Sequence, residues 1–241
     1  MTTAEAHLAP GRELLDDPRA DPALVRASLR NIARANRWFG GVAAARFGVG
    51  RLLDRRPDRP GAVSSGHRDR VTLLDVGTGM GDLPAALGSW LAGRGVAATC
   101  FAVERNPTAA RMAAEGGLAT AVGDGLRLPF GGRSVDIVLL SQIAHHLAPP
   151  AILELCREAT RVARIGVVLA DLARSRLAQI GFFVASRALR FDPATCADGV
   201  TSVKRGFRVG DLAGLLAQGG IAAHCVARPG WRVVATWGVL P

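Results

Sequence analysis

The sequence is almost without lysine: Lys204 stands alone among 30 basic residues, and the other 29 are Arg. That imbalance, with an abundance of Ala and Gly, follows the coding bias of a GC-rich genome. The formal charge of +10 is therefore weak ground for a nucleic-acid partner, which is disfavoured. Cysteine is scarce as well. Cys100, Cys156, Cys196 and Cys225 lie far apart and form no CxxC pair, so neither a zinc knuckle nor a redox dithiol is suggested, and no metal site is expected. Long apolar runs are missing. The longest, around residues 177–184, is too short to cross a bilayer. The first 20 residues carry acids and prolines in place of a basic start and an apolar run, so no secretory signal is expected. Reduced thiols, no membrane span and a cytoplasmic location are the expectations that follow.

What is present suits one folded catalytic domain with a helical extension: 241 residues, 49% hydrophobic and 21% charged. Residues 1–20 read as a loosely packed tail. Between Pro22 and Phe47 the pattern is helical, with Val25, Leu29 and Ile32 on one face, Arg26, Arg30, Arg34 and Arg37 on another, and a break at Gly40-Gly41. The organisation expected is a tail and helical cap over 1–53, a Pro/Gly/Ser-rich linker over 54–70, and a main domain over 71–241 with a lid insertion around 173–210. Strands are expected at 71–76, 98–103, 120–122, 135–140 and 167–170, and helices near 83–92, 108–115, 151–161 and 211–217. Such alternation predicts an α/β fold, a mostly parallel sheet with helices on both faces. Residues 222–226 and 233–237 flank Arg228-Pro229-Gly230 and predict a terminal antiparallel hairpin.

The strongest local signal is Leu73-Leu74-Asp75-Val76-Gly77-Thr78-Gly79-Met80-Gly81-Asp82, a buried strand entering a glycine-rich turn and then a helix. Glycines at 77, 79 and 81 let the backbone turn sharply against a ligand, and the following helix offers free N–H groups. The spacing is GxGxG behind an acid, where a hydride-transfer site has GxGxxG. A carboxylate at Asp75 opposes a pyrophosphate and suits a positively charged methionine portion.

From residue 71 to 172 the sequence resembles the class I S-adenosylmethionine-dependent methyltransferases, nearest in flavour to the small-molecule branch with the ubiquinone- and menaquinone-type enzymes. The resemblance implies a Rossmann-like fold with a seven-stranded sheet and S-adenosylmethionine as cofactor. Phe101-Ala102-Val103-Glu104 matches the strand whose terminal acid receives the ribose hydroxyls, followed by Arg105, and Gly123-Asp124-Gly125-Leu126 matches the segment whose Asp meets the adenine amino group. Leu128-Pro129-Phe130 and Ser134-Val135-Asp136 match the lead-in to the fourth strand. With Asp75, Gly77, Thr78, Gly79, Gly81 and Asp82, and Ser141 and Gln142 through their backbone, these residues form the expected cofactor set. One departure is visible, Ala163-Arg164-Ile165-Gly166 where the family has a Pro-Gly-Gly turn.

Methyl transfer from a sulfonium needs alignment, and a base only where the acceptor loses a proton. Ser141-Gln142-Ile143-Ala144-His145-His146-Leu147 follows the fourth strand, where such sheets place their chemistry, so His146, His145 and Asp171 are the candidate catalytic groups. The same His-His-Leu segment can equally shape the loop and pack the next helix. Arg37, Trp38, Phe182, Phe183 and Arg205 are candidate acceptor contacts, although the aromatic ones read equally well as core. The expected function is methylation of a small, fairly apolar metabolite, phenolic, quinol or polyketide-like, at O or C, by a monomer or homodimer. An RNA or protein methyltransferase and a non-catalytic cofactor-binding partner are the alternatives.

Overall fold

The computed structural model describes residues 13–17, 19–55 and 70–239. Seven strands form one sheet: β1 (Arg70–Val76), β2 (Ala97–Glu104), β3 (Ala119–Val122), β4 (Val135–Ser141), β5 (Ala163–Leu172), β6 (His224–Arg228) and β7 (Arg232–Gly238). Their order is β3-β2-β1-β4-β5-β7-β6. β1 to β5 pair in parallel, and β7 runs antiparallel between β5 and β6. The expected hairpin is present, with its second strand inside the sheet and its first at the edge. The chain leaves β1 toward β2 on one side and later returns to β4 on the other. That reversal opens a crevice at the carboxyl ends of the strands.

β1 and β4 are buried along nearly their whole length because both faces are covered. Leu73, Ile137, Leu139, Val168 and Val234 face one layer, built from helix α2 (Gly41–Asp54) and helix α3 (Asp82–Ala92). Leu74, Val138, Leu140, Leu169 and Val233 face the other, built from α5 (Pro149–Val162) and α8 (Val209–Gln218). The period-2 alternation of side chains makes this division unavoidable once the sheet forms.

Helix α1 (Pro22–Trp38) begins at an Asp21 cap that accepts from the Ala23 N–H at 2.8 Å, with Pro22 in the first turn. Its Val25 and Leu29 pack on Ala109 and Met112 of α4 (Pro107–Glu115), above the crevice. α2, which the sequence places in the cap, instead lies against the sheet. Gly48 permits this: a Cβ there would sit 2.3 Å from Val168 Cγ1. Helices α6 (Arg176–Ala188) and α7 (Pro193–Arg205) follow β5 at the same end of the sheet.

Two further local differences from the sequence reading stand out. Residues 13–16, expected in a loose tail, include a short 3-10 turn whose Leu14 is buried, and Glu13 is buried beside α7. The Ala163-Arg164-Ile165-Gly166 departure is not a turn, because β5 starts at Ala163 directly after α5. The expected linker lies mainly at residues 56–69, outside the described residues. No described helix is long and apolar enough to cross a membrane.

Candidate active site

Gly77, Gly79 and Gly81 all take positive φ, at 73°, 60° and 82°, so the loop after β1 uses conformations that side chains resist. The loop turns back on Glu104 at the end of β2. One carboxylate oxygen accepts from the Gly79 N–H at 2.8 Å and the other from the Asn106 N–H at 2.8 Å. Asn106 then caps α4, accepting from Thr108 and Ala109. The Asn-Pro pair at 106–107 is an N-cap signal legible in sequence, and the sequence reading passed over it.

Three acids converge on this loop. Burial pushes the Asp75 carboxyl up to about 8, the Thr78 hydroxyl bond at 2.7 Å opposing and the neighbouring Asp82 and Glu104 adding to the rise. Burial also raises Asp82 and Glu104 above the ordinary carboxylate range, against the hydrogen bonds they accept. Asp75 Oδ1 is buried without a hydrogen-bond partner. Three buried carboxyls whose ionised forms are disfavoured thus surround a glycine cradle, an environment completed by a cationic ligand that carries donors and favours the carboxylates.

Asn36 of α1, which the sequence reading did not single out, joins the cap to this loop. Its amide donates to Asp82 at 3.0 Å and its carbonyl accepts from Gln142 Nε2 at 2.6 Å. Gln142 holds φ at 53°, a left-handed conformation rare for a residue with a side chain. Nothing in a local pattern links positions 36, 82 and 142.

Beyond β4, Ala144–His146 forms a short 3-10 turn, and it divides the roles of the two histidines. His145 is buried and its Nδ1 lies 2.6 Å from Asp171 Oδ1 at the end of β5. Asp171 also accepts from the backbone N–H groups of Ala144, His145 and Leu172. Burial alone would raise this carboxyl, but the attraction and hydrogen bond of His145 and the Leu172 N–H hold it below its usual value. The Asp171 carboxylate accepts from Nδ1 and fixes the ring, and Nε2 is buried and has no hydrogen-bond partner. His146, placed ahead of His145 by sequence, is half-buried with Nε2 3.7 Å from Glu13 Oε2. Glu13 in turn accepts from Ser202 at 2.8 Å and pairs with Arg205 at 3.3 Å. Glu13, His145 and His146 can each bring one ligand atom within 4.8 Å of the others. Arg205 and Ser202 already engage the Glu13 carboxylate, so no metal is assigned.

Most of these groups line one cavity of about 760 Å³ that runs from the glycine loop to β5 and α6. Asp75, Gly77, Thr78, Gly79, Asp82, Glu104, Arg105, Asp124, Gly125, Leu126, Ser141 and Gln142 border it, as do His145 and His146. Asp171 stands behind His145, and Gly81 serves as the N-cap of α3 behind the loop. Asp124 is exposed and holds its own turn, accepting from the Leu126 N–H at 3.0 Å. Of the expected acceptor contacts, Phe182 and Arg205 reach the cavity, and Phe182 packs edge-on against Phe39. Arg37, Trp38 and Phe183 do not. Trp38 is 69% exposed and Phe183 46%, because they occupy the outer faces of α1 and α6. Arg232, at the start of β7, is a buried cavity residue that the sequence reading did not single out.

Residues 74–170 match the family model described as a methyltransferase domain. No curated protein matches the chain. Among solved structures it is similar to an S-adenosylmethionine-dependent methyltransferase from Aquifex aeolicus, with 17% identity, 72% of this chain and 85% of that one covered, and a TM-score of 0.52. It is similar also to magnesium protoporphyrin IX methyltransferase from Synechocystis PCC 6803 with bound S-adenosylhomocysteine, at 12% identity, 83% and 84% coverage and a TM-score of 0.53. A third is an O-methyltransferase family 2 protein from Planctomyces limnophilus in complex with apigenin, at 19% identity, 86% and 61% coverage and a TM-score of 0.52. At such identities the likeness is one of fold. The chain therefore shares its fold with these methyltransferases, among them one that depends on S-adenosylmethionine, and its residues 74–170 match a methyltransferase domain. The cluster of raised acids and the unpartnered Asp75 oxygen fit that cationic molecule.

Proposed function

We propose that this protein methylates a small, fairly apolar metabolite, phenolic, quinol or polyketide-like, at oxygen or carbon, in the manner of the ubiquinone- and menaquinone-type enzymes it resembles. The observation that carries the reading is a single cavity joining the glycine loop to the buried His145–Asp171 pair, with apolar walls from Leu29, Ile32, Leu172 and Phe182. A cavity of this size and lining suits a compact organic acceptor better than a folded RNA or protein surface.

The bound cofactor supplies an electrophilic methyl group on a sulfonium. Asp75, Asp82 and the Gly77–Gly81 loop hold its charged portion, Glu104 and Arg105 border its ribose, and Asp124 to Leu126 its adenine. Ser141 and Gln142 line the passage toward the acceptor. The protein's share in catalysis is alignment and exclusion of water, with α1 and α6 as cover over the crevice. Where the acceptor atom carries a proton, His145 Nε2 receives it, and Asp171 fixes the ring and stabilises the imidazolium that forms. His146, held toward Glu13, acts as a wall. The division into a cap, a linker over 54–70 and a domain with a lid around 173–210 belongs to this reading, as do a cytoplasmic location and a monomer or homodimer.

The test is calorimetric binding of S-adenosylmethionine and S-adenosylhomocysteine, with NAD as control, to the wild type and Glu104→Ala. A mass-spectrometric methylation screen over hydrophobic phenols, apigenin among them, and total RNA follows. Cofactor binding weakened in the variant, with a phenolic product, is expected. Preference for NAD, or methylation of RNA without any phenol, would overturn the proposal.

A further inference from the structure

Arg232 is the first residue of β7, beside Leu172 in the sheet register, and only 4% of it is exposed. Its Nε donates to the Phe39 carbonyl at 2.9 Å, the side chain's one hydrogen bond among the described residues, and Nη1 is buried with no partner. No described carboxylate lies within ion-pair distance of it. Asp171 is the charge that acts on it, yet both Asp171 oxygens already accept, two N–H groups each. Arg205, the other arginine on this side of the cavity, is engaged with Glu13. Burial pulls the Arg232 guanidinium down to about 10, which leaves it charged at neutral pH. A buried cation without a counter-ion is costly unless a ligand brings the missing negative charge. The guanidinium fork matches a carboxylate in particular.

We infer that Arg232 is an anion-binding residue of the cavity, taking a carboxylate of a bound ligand at its Nη groups. The inference rests on the methyl-transfer reading only for the identity of that ligand. Two sources share the chemistry, an acidic acceptor and the methionyl carboxylate of the cofactor. The position of Arg232 on β7, two strands beyond β4 and on the side away from Glu104, favours the acceptor. The apolar walls and this cation together describe an aromatic or aliphatic acid.

The test uses the full chain, the wild type, Arg232→Gln and Arg232→Lys, in two calorimetric arms. The first compares S-adenosylhomocysteine with 5′-methylthioadenosine, which lacks the amino-acid portion. The second titrates benzoate, then benzamide, into protein saturated with S-adenosylhomocysteine. Expected is a benzoate preference of about ten-fold or more over benzamide, lost in Arg232→Gln and partly kept in Arg232→Lys, with the nucleoside arm unchanged. A ten-fold loss confined to S-adenosylhomocysteine would keep the carboxylate and assign it to the cofactor. The inference is overturned if wild type binds benzoate no better than benzamide and Arg232→Lys alters neither nucleoside. Because binding is read without turnover, a protein that bound benzoate and methylated no acceptor would refute the proposed function and leave this one standing.

Discussion

Replacing Asp75 by Asn isolates the electrostatic character of the cofactor loop. The Asp75 carboxyl is buried and its pKa stands at about 8 in the ligand-free protein, against 3.8 for the free side chain. The folded value lies above the unfolded one, so the stability contributed by this group is complete below about pH 4 and is lost as pH rises through 8. Between pH 6 and pH 8 the unfolded carboxyl is ionised while the folded one stays largely protonated, and the loss runs at about 1.4 kcal/mol per pH unit, tapering near the top. About 2 kcal/mol of ligand-free stability should disappear over that interval. The neutral amide in Asp75→Asn has no such linkage. Urea denaturation of both proteins at pH 6, 7 and 8 should therefore show the variant gaining about 2 kcal/mol relative to the wild type across the series. Other titrating groups remain in both proteins and largely cancel. The cationic cofactor favours the ionised carboxylate, so wild type should release a proton on binding below pH 8, seen as a buffer-dependent calorimetric heat. The variant should bind more weakly and release less. Parallel pH slopes for the two proteins, with equal proton release, would refute the argument.

Three other substitutions probe separate parts of the molecule. Asp171→Asn removes the charge that orients His145 and should lower kcat by about 10² to 10⁴ for acceptors that must be deprotonated, with cofactor affinity little changed; single-turnover rates across pH 6 to 9 check it. Asn36→Ala cuts the bridge between Asp82 and Gln142 and should weaken S-adenosylhomocysteine binding by about 5- to 10-fold in calorimetry, the value of one to two hydrogen bonds. Gly48→Ala places a methyl 2.3 Å from Val168 Cγ1, so α2 must lift from β5, at a cost of about 1–3 kcal/mol in denaturant unfolding with the cofactor site intact.

Much of this architecture is legible in the sequence, because it rests on local pattern. The apolar runs of β1 and β4, the glycines that need positive φ, Glu104 at the end of β2, and the hairpin around Pro229-Gly230 are each specified by neighbours in the chain. The helical pattern expected up to Phe47 covers the first half of the helix at 41–54, but that helix's place on the sheet depends on a contact between Gly48 and Val168, 120 residues apart. The sequence puts His146 slightly ahead of His145 and carries no sign of what either one meets. Their rings lie 4.1 Å apart, centroid to centroid, and only the approach of β5 brings Asp171 to His145, while Glu13 lies beside His146.

Local propensity and side-chain periodicity thus determined the element order, the parallel sheet and the glycine-loop end of the cavity. The tertiary structure alone decided its far end. Glu13 meets Ser202, Asn36 meets Gln142, and Arg232 is buried against the Phe39 carbonyl, pairs separated by more than 100 residues. Such contacts are set by how helices and strands stack to exclude water, and that stacking leaves no periodic trace in the chain.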